Sequence, residues 1–142
     1  FQRLEAARLA RPSMKVVVVD PRRTETCDIA DLHLALKPGS DVALFNLLLA
    51  GLAKRDVVDR DFVDRHTSGL DQALTAARAT DSSACGLPRA DIETFIDWFA
   101  RTERVVTLYS QGVNQSSAGV DKVNALINCH LLTGRIGRPG MG

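Results

Sequence analysis

Four consecutive valines, Val16 to Val19, stopped by Asp20-Pro21-Arg22-Arg23-Thr24, constrain the fold more than any other stretch of the chain. An uninterrupted β-branched run of this length reads as a strand buried on both faces of a parallel sheet. A second run, Leu32-His33-Leu34-Ala35-Leu36, alternates and ends in Lys37-Pro38-Gly39-Ser40-Asp41. Both runs finish in polar loops, and loops at the C-terminal ends of strands are where α/β folds hold nucleotides. Gly39 and Ser40 can open the helix that follows and expose its free N–H groups to an anion. Two such loops can hold the two ends of one dinucleotide.

Helical periodicity fills the rest of the chain. Phe1 to Ala10 reads as a helix with Leu4 and Leu9 on one side, closed by Pro12. Ser40 or Asp41 is expected to cap a long helix carrying Val42, Phe45, Leu48, Leu49 and Leu52 against a sheet, the crossover of a βαβ unit. Shorter helices are expected over Asp59 to Arg65 and Gly69 to Ala79, and an amphipathic one over Arg89 to Arg101. Val105 to Tyr109 reads as a further strand, followed by the polar loop Ser110 to Ser117. The last helix, about Gly119 to Thr133, is expected to face inward through Val120, Val123, Leu126, Ile127 and Leu131, with Gly134 as its stop. The fold class expected is α/β: one doubly wound, mostly parallel Rossmann-like sheet flanked by helices, a single domain over residues 1–142.

Charge and cysteine content exclude several classes of function. With 18 basic against 17 acidic residues the net charge is +1, which offers no field to attract nucleic acid or an anionic membrane. Cys27, Cys85 and Cys129 are odd in number and far apart, as expected of core thiols in a reducing, cytoplasmic setting. No CxxC occurs, and Cys129 and His130, adjacent on a helix, point about 100° apart and cannot easily close on one ion. His33 and His66 have no partner at catalytic spacing. The most apolar run, Val42 to Ala53, is too short to span a bilayer. The mixed charges of Lys54 to Arg65 read as a solvated face. Because the chain begins at Phe1 and ends in the Gly-rich turn Gly137 to Gly142, it is expected to be an excised fragment.

Four blocks carry a resemblance. Asp20-Pro21-Arg22, Pro38-Gly39-Ser40-Asp41, the stretch Tyr109 to Ser117 (YSQGVNQSS) and the stretch Asn128 to Gly142 (NCHLLTGRIGRPGMG) occur in an order similar to that of the dimethyl sulfoxide reductase family. These are large subunits that bind molybdenum through bis(molybdopterin guanine dinucleotide). The resemblance runs from about Lys15 to Gly142, and its last two blocks look most like assimilatory nitrate reductases. It implies cofactor contacts at Asp20, Pro21, Arg22, Arg23 and Thr24 in one loop, and at Gly39, Ser40 and Asp41 in another, with the guanosine half between them. It adds Gln111 and Gln115 from the third block, although the family often has an apolar residue where Gln111 stands. It also implies that the molybdenum ligand and the cysteines of a [4Fe–4S] cluster lie on other segments of the parent enzyme, so no catalytic residue or metal ligand is assigned here. Partners are then the remaining domains and an electron-donor protein or reductase domain, with neither nucleic acid nor membrane involved.

Donor and acceptor chemistry agrees with the loop assignment. Guanine offers two adjacent donors, N1–H and the N2 amine, and a strand-end carboxylate such as Asp20 or Asp41 can accept both in one plane. The uncharged amides of Gln111, Asn114 and Gln115 supply donors and acceptors together, suited to pterin rings and phosphates, and Gly112 lets the backbone come close. The plainer alternative is that Asp20 caps a turn, Arg22 pairs with Glu25 or Asp28, and Ser110 to Ser117 is a solvated loop. Formate dehydrogenase of the same family, and a non-catalytic nucleotide-binding module, remain competing functions.

Overall fold

The chain is described over residues 1–142 by a computed structural model. Helix α1 (Gln2–Ala10) buries no residue, and Leu9, expected on its packing side, stands in solvent. What fastens it is charge: Arg8 donates to Asp31 at 2.8 Å. Strand β1 (Val17–Val19) then pairs in parallel with β2 (Leu32–Leu34), Val17 opposite Leu32 and Val19 opposite Leu34. The connection between them is not a helix of several turns but a 3-10 segment, Glu25–Ile29, with Cys27 buried beneath it.

Helix α2 (Asp41–Lys54) follows β2 and forms the spine of the molecule, packing on α7 (Gly119–Leu132), α4 (Leu70–Arg78) and α5 (Arg89–Arg101). Its Leu44, Leu48 and Leu52 are wholly buried. Burying one such side chain contributes about 1.5–3 kcal/mol, which is why this segment is helical against its neighbours rather than free. At Gly51 a Cβ would lie 2.7 Å from Ile96 Cδ1, so the glycine sets how closely α2 and α5 approach. Arg55, just past the end of α2, ties the same pair together through Glu93 at 2.6 Å and Asp97 at 2.8 Å, where a solvated face was expected. Helix α3 (Arg60–His66) is capped by Asp59, whose carboxylate accepts from the Phe62 N–H at 2.9 Å.

Two expectations are corrected. The sheet has two strands, short of the doubly wound, mostly parallel Rossmann-like sheet, and the molecule is mostly helical. Val105 to Tyr109 joins neither strand. Its backbone instead meets the C-terminal residue, with Thr107 N–H donating to Gly142 O at 2.8 Å and Gly142 N–H to Val105 O at 3.0 Å. β-branched composition favours extended backbone, but a ladder also needs a neighbouring strand, which composition does not supply. The second correction is the phase of α7. Gly119, Lys122, Ala125, Leu126, Cys129, His130 and Leu132 face inward, while Val120 is 75% exposed. Gly134 stops this helix as expected, at φ 61°.

Candidate cofactor-binding site

Parallel pairing brings the C-terminal ends of β1 and β2 side by side, so the loops after them share one edge of the sheet. Asp20 is fixed there by its backbone: its N–H donates to Leu34 O at 3.3 Å, and His33 Nε2–H donates to its carbonyl at 2.9 Å. His33 is thus the structural histidine expected. The Asp20 side chain turns back on its own loop, accepting from the Arg22 N–H at 2.8 Å, the local hydrogen bond that makes Asp a turn residue. Its other oxygen pairs with no residue of the chain. Pro21 and Arg22 are exposed, the Arg22 side chain to 84%, with its Nε 4.0 Å from Asp20. Arg23, rather than Arg22, reaches Asp28, at 3.3 Å. Thr24 precedes the 3-10 segment without capping it through its side chain.

In the second loop Gly39 takes φ 84°, a left-handed conformation that glycine adopts without strain, and nothing lies within 4 Å of where a Cβ would stand. Ser40 is the residue before α2, but its hydroxyl donates to Lys37 O at 2.6 Å and caps nothing. Asp41 is the surprise. Its Oδ2 lies 2.8 Å from the ammonium of Lys122, with both side chains largely removed from solvent. Lys122 Nζ also donates to Gly112 O at 3.3 Å. One buried cation therefore joins the second loop to the third.

The third loop is partly helical, α6 covering Gln111–Asn114. Gln111, Asn114 and Gln115 are exposed, and Gly112 again has open space where a Cβ would be. Ser116 donates to Val113 O at 3.0 Å. The residue before α7 is Ala118, and no side chain caps the helix, that of Ser117 included. Of the expected residues, Asp41 and the 111–115 loop are brought together through Lys122. Asp20 to Thr24 has no hydrogen bond to Gln111 to Gln115.

Comparison with known proteins decides the family. Residues 2–142 match the molybdopterin oxidoreductase model. The chain belongs to the molybdopterin oxidoreductase family. Among its relatives, the nitrate reductase of Klebsiella oxytoca is 49% identical over the whole chain, which covers 16% of that protein. The F420-dependent formate dehydrogenase subunit alpha of Methanocaldococcus jannaschii is 33% identical over 90% of the chain, 20% of its own length. The fold is shared with acetylene hydratase from Pelobacter acetylenicus, at TM-score 0.86 and 19% identity over 98% of the chain and 20% of that structure. The chain thus spans a fifth or less of the proteins it matches.

The residues of this molybdopterin oxidoreductase chain fit a molybdenum–pterin cofactor in their donor chemistry. The three loops between them offer exposed guanidinium groups and amides, one carboxylate oxygen on Asp20 without a partner, and two glycines at which a ligand can approach bare backbone. No group of three or more His, Cys, Asp or Glu is arranged to hold a metal ion. No helix is long and apolar enough to cross a membrane.

Sequence reasoning missed two buried polar residues. Lys122 was overlooked because lysine is almost never buried unless paired. The available signal was the stripe Gly119, Ala125, Cys129, whose small residues mark a close-packed face that also passes through position 122. His130, 2% exposed, joins the Val105 to Tyr109 stretch to the turn after α7. Its Nδ1 faces Arg135 O at 3.1 Å, and a carbonyl only accepts, so Nδ1 carries the proton and Nε2 accepts from the Thr107 hydroxyl at 2.7 Å. Burial, aided by the Arg135 charge and opposed by the bond to the Arg135 carbonyl, holds this imidazole below the ordinary histidine value. Cys129 donates to Phe45 O, and complete burial drives its thiol far above the usual range. All three cysteines are free and buried, as expected of core thiols.

Proposed function

We propose that this chain is the part of a molybdenum oxidoreductase that cradles the guanosine half of bis(molybdopterin guanine dinucleotide), and that the parent enzyme reduces nitrate to nitrite. The observation carrying this reading is the single edge on which the Asp20 and Asp41 loops lie side by side, with the amide loop held to Asp41 by Lys122. Asp20, through its unengaged oxygen, accepts from the guanine edge. Pro21 and Thr24 hold the loop's shape, Arg22 and Arg23 face the phosphates, and Gly39, Ser40 and Asp41 lie against the ribose and base. Gln111 and Gln115 meet the cofactor's polar edge. When bound, the molybdenum centre supplies two-electron oxygen-atom transfer, which with two protons turns nitrate into nitrite and water.

In the parent, a [4Fe–4S] cluster and an electron-donor protein or reductase domain, neither held by these residues, would supply the electrons. Nitrate is favoured by the Klebsiella relative, whose identity of 49% exceeds the 33% of the formate dehydrogenase. Formate oxidation is the second reading, on that relative's name. Three unpaired thiols support a cytoplasmic setting, and the resemblance of the stretches Tyr109 to Ser117 and Asn128 to Gly142 supports an assimilatory role. In the parent, Val105 to Tyr109 extends the sheet into the doubly wound Rossmann-like form, and residues 1–142 make one domain.

Asp20→Ala in the full-length enzyme tests the cradle. Removing up to two charge-assisted hydrogen bonds, each about 1.5–3 kcal/mol, lowers the guanosine released per polypeptide on acid hydrolysis at least tenfold. Unchanged guanosine and molybdenum content would return Asp20 to the role of a turn residue.

A further inference from the structure

Lys122 lies in the first turn of α7 at a position of the helix that otherwise packs core, and is only 7% exposed. A lysine buried to this degree is retained when its ammonium has specific partners, since leaving it unpaired costs several kcal/mol. Its partners here lie on two separate elements: the Asp41 carboxylate at the start of α2, and the Gly112 carbonyl within α6. Gly119 brings the same strands of chain together, because a Cβ there would collide with Asn114 backbone. So α6 and the first turn of α7 are packed closely together, and both are tethered to α2 through one cation. In the amide loop Gln111, Asn114, Gln115 and Ser117 are exposed, and only Val113 and Ser116 are half-buried.

We infer that Lys122 is a positioning residue that couples the Gly39–Asp41 loop to the Gln111–Gln115 loop, so that a ligand ordering one orders the other. The inference rests on the cofactor reading above and adds to it a residue that does not itself touch the cofactor. Asp41 has one oxygen engaged by Lys122 and one left for ligand. A ligand that pulls on Asp41 shifts the ammonium, and through it the Gly112 carbonyl and the side chains of Gln111 and Gln115. Without the cation, the two loops respond separately.

The experiment uses the full-length enzyme with and without its molybdenum cofactor, read by amide hydrogen exchange. K122M leaves a buried carboxylate unpaired and can fail to fold, so the decisive pair is D41N against D41N/K122M. These differ only at Lys122 and neither leaves a charged carboxylate unpaired. In both, the free oxygen of Asp41 is replaced, and in D41N the single amide oxygen accepts from the ammonium while the NH2 faces the ligand and donates to ribose hydroxyls, so released guanosine is read in each variant beside exchange. In D41N, cofactor loading slows exchange at 111–115 at least tenfold. In D41N/K122M the slowing at 111–115 falls below twofold, while residues 20–24 remain slowed, which marks bound cofactor. Loss of guanosine from the double variant alone, with the cofactor-free melting temperature unchanged from D41N, also supports the coupling. Equal slowing of 111–115 in both variants overturns it, leaving Lys122 a structural ion pair. Failure of the cofactor reading is a separate result, since the wild-type enzyme then releases no guanosine.

Discussion

The two ends of the β1–β2 sheet carry charge to opposite effect. At the N-terminal end, Asp31 is 13% exposed and each of its oxygens is engaged: Oδ2 accepts from the Val16 N–H at 2.9 Å, and Oδ1 meets Arg8 at 2.8 Å and Lys15 at 3.2 Å. At the C-terminal end, Asp20 uses one oxygen on its own turn, Arg22 is 84% exposed, and Gly39 faces open space. One end has its polar groups matched inside the protein, which is how charge stabilises a fold. The other leaves them outward, which contributes little to stability and keeps them available to a ligand. Matched charge marks structure here, and unmatched charge marks the edge proposed to hold the cofactor.

Replacing each aspartate in turn sharpens this contrast. Asp31→Ala removes the acceptor for Val16 N–H and leaves Arg8 and Lys15 unmatched, for an expected loss of about 1.5–3 kcal/mol in urea denaturation. Asp20→Ala in the cofactor-free protein costs under about 0.5 kcal/mol, as for a surface substitution. Equal losses would break the comparison.

Acid tests the same difference. Burial alone would raise the Asp31 carboxyl, but the Val16 N–H, the Lys15 hydrogen bond and the charges of Arg8 and Lys15 outweigh it and hold the group below its usual 3.8. A depressed carboxylate contributes stability that is full above its unfolded value and is lost as pH falls through the folded one. His130, also depressed, acts earlier: its contribution is full above about 6.5 and declines as pH falls from there towards the lower folded value. Protonation would make Nε2 a donor and force the Thr107 hydroxyl to reverse. His130→Gln is therefore expected to flatten the stability profile just below pH 6.5 and leave the steeper decline below pH 4 in place, read by melting temperature against pH.

At the ligand end the expected effects on stability are smallest. Gln115→Leu, exposed and unpartnered, should leave the melting temperature of the cofactor-free protein within a degree or two while lowering cofactor content in the parent. Ser117→Ala should change neither, since Ser117 caps no helix. A drop of about 1 kcal/mol there, the usual value of a lost N-cap, would show that the hydroxyl does engage α7.

Much of this was legible in residue order. The valine run, the alternating Leu32 to Leu36 and the amphipathic Arg89 to Arg101 each appeared where their periodicity put them, because side-chain spacing reflects which face is buried. The family blocks identified the loops. What stayed hidden depended on partners distant in sequence. Lys122 reads as a surface residue until Asp41, on another helix, neutralises it, and the face of α7 that holds it inward leaves Val120 in solvent. Ser40 has the composition of a cap, but its hydroxyl prefers the Lys37 carbonyl. Val105 to Tyr109 has the composition of a strand without a strand beside it.

The Lys37 N–H donates to Cys85 O at 2.9 Å, and the stem of the Lys37 side chain crosses Gly86 so closely that a Cβ there would sit 2.8 Å from Cε and Cγ. The Gly39–Asp41 loop thus rests on a short segment far downstream, Cys85 and Gly86. In a genetic screen scored only by loss of holoenzyme, Gly86 would emerge beside Asp20 as a hit, although its role is to give the loop room.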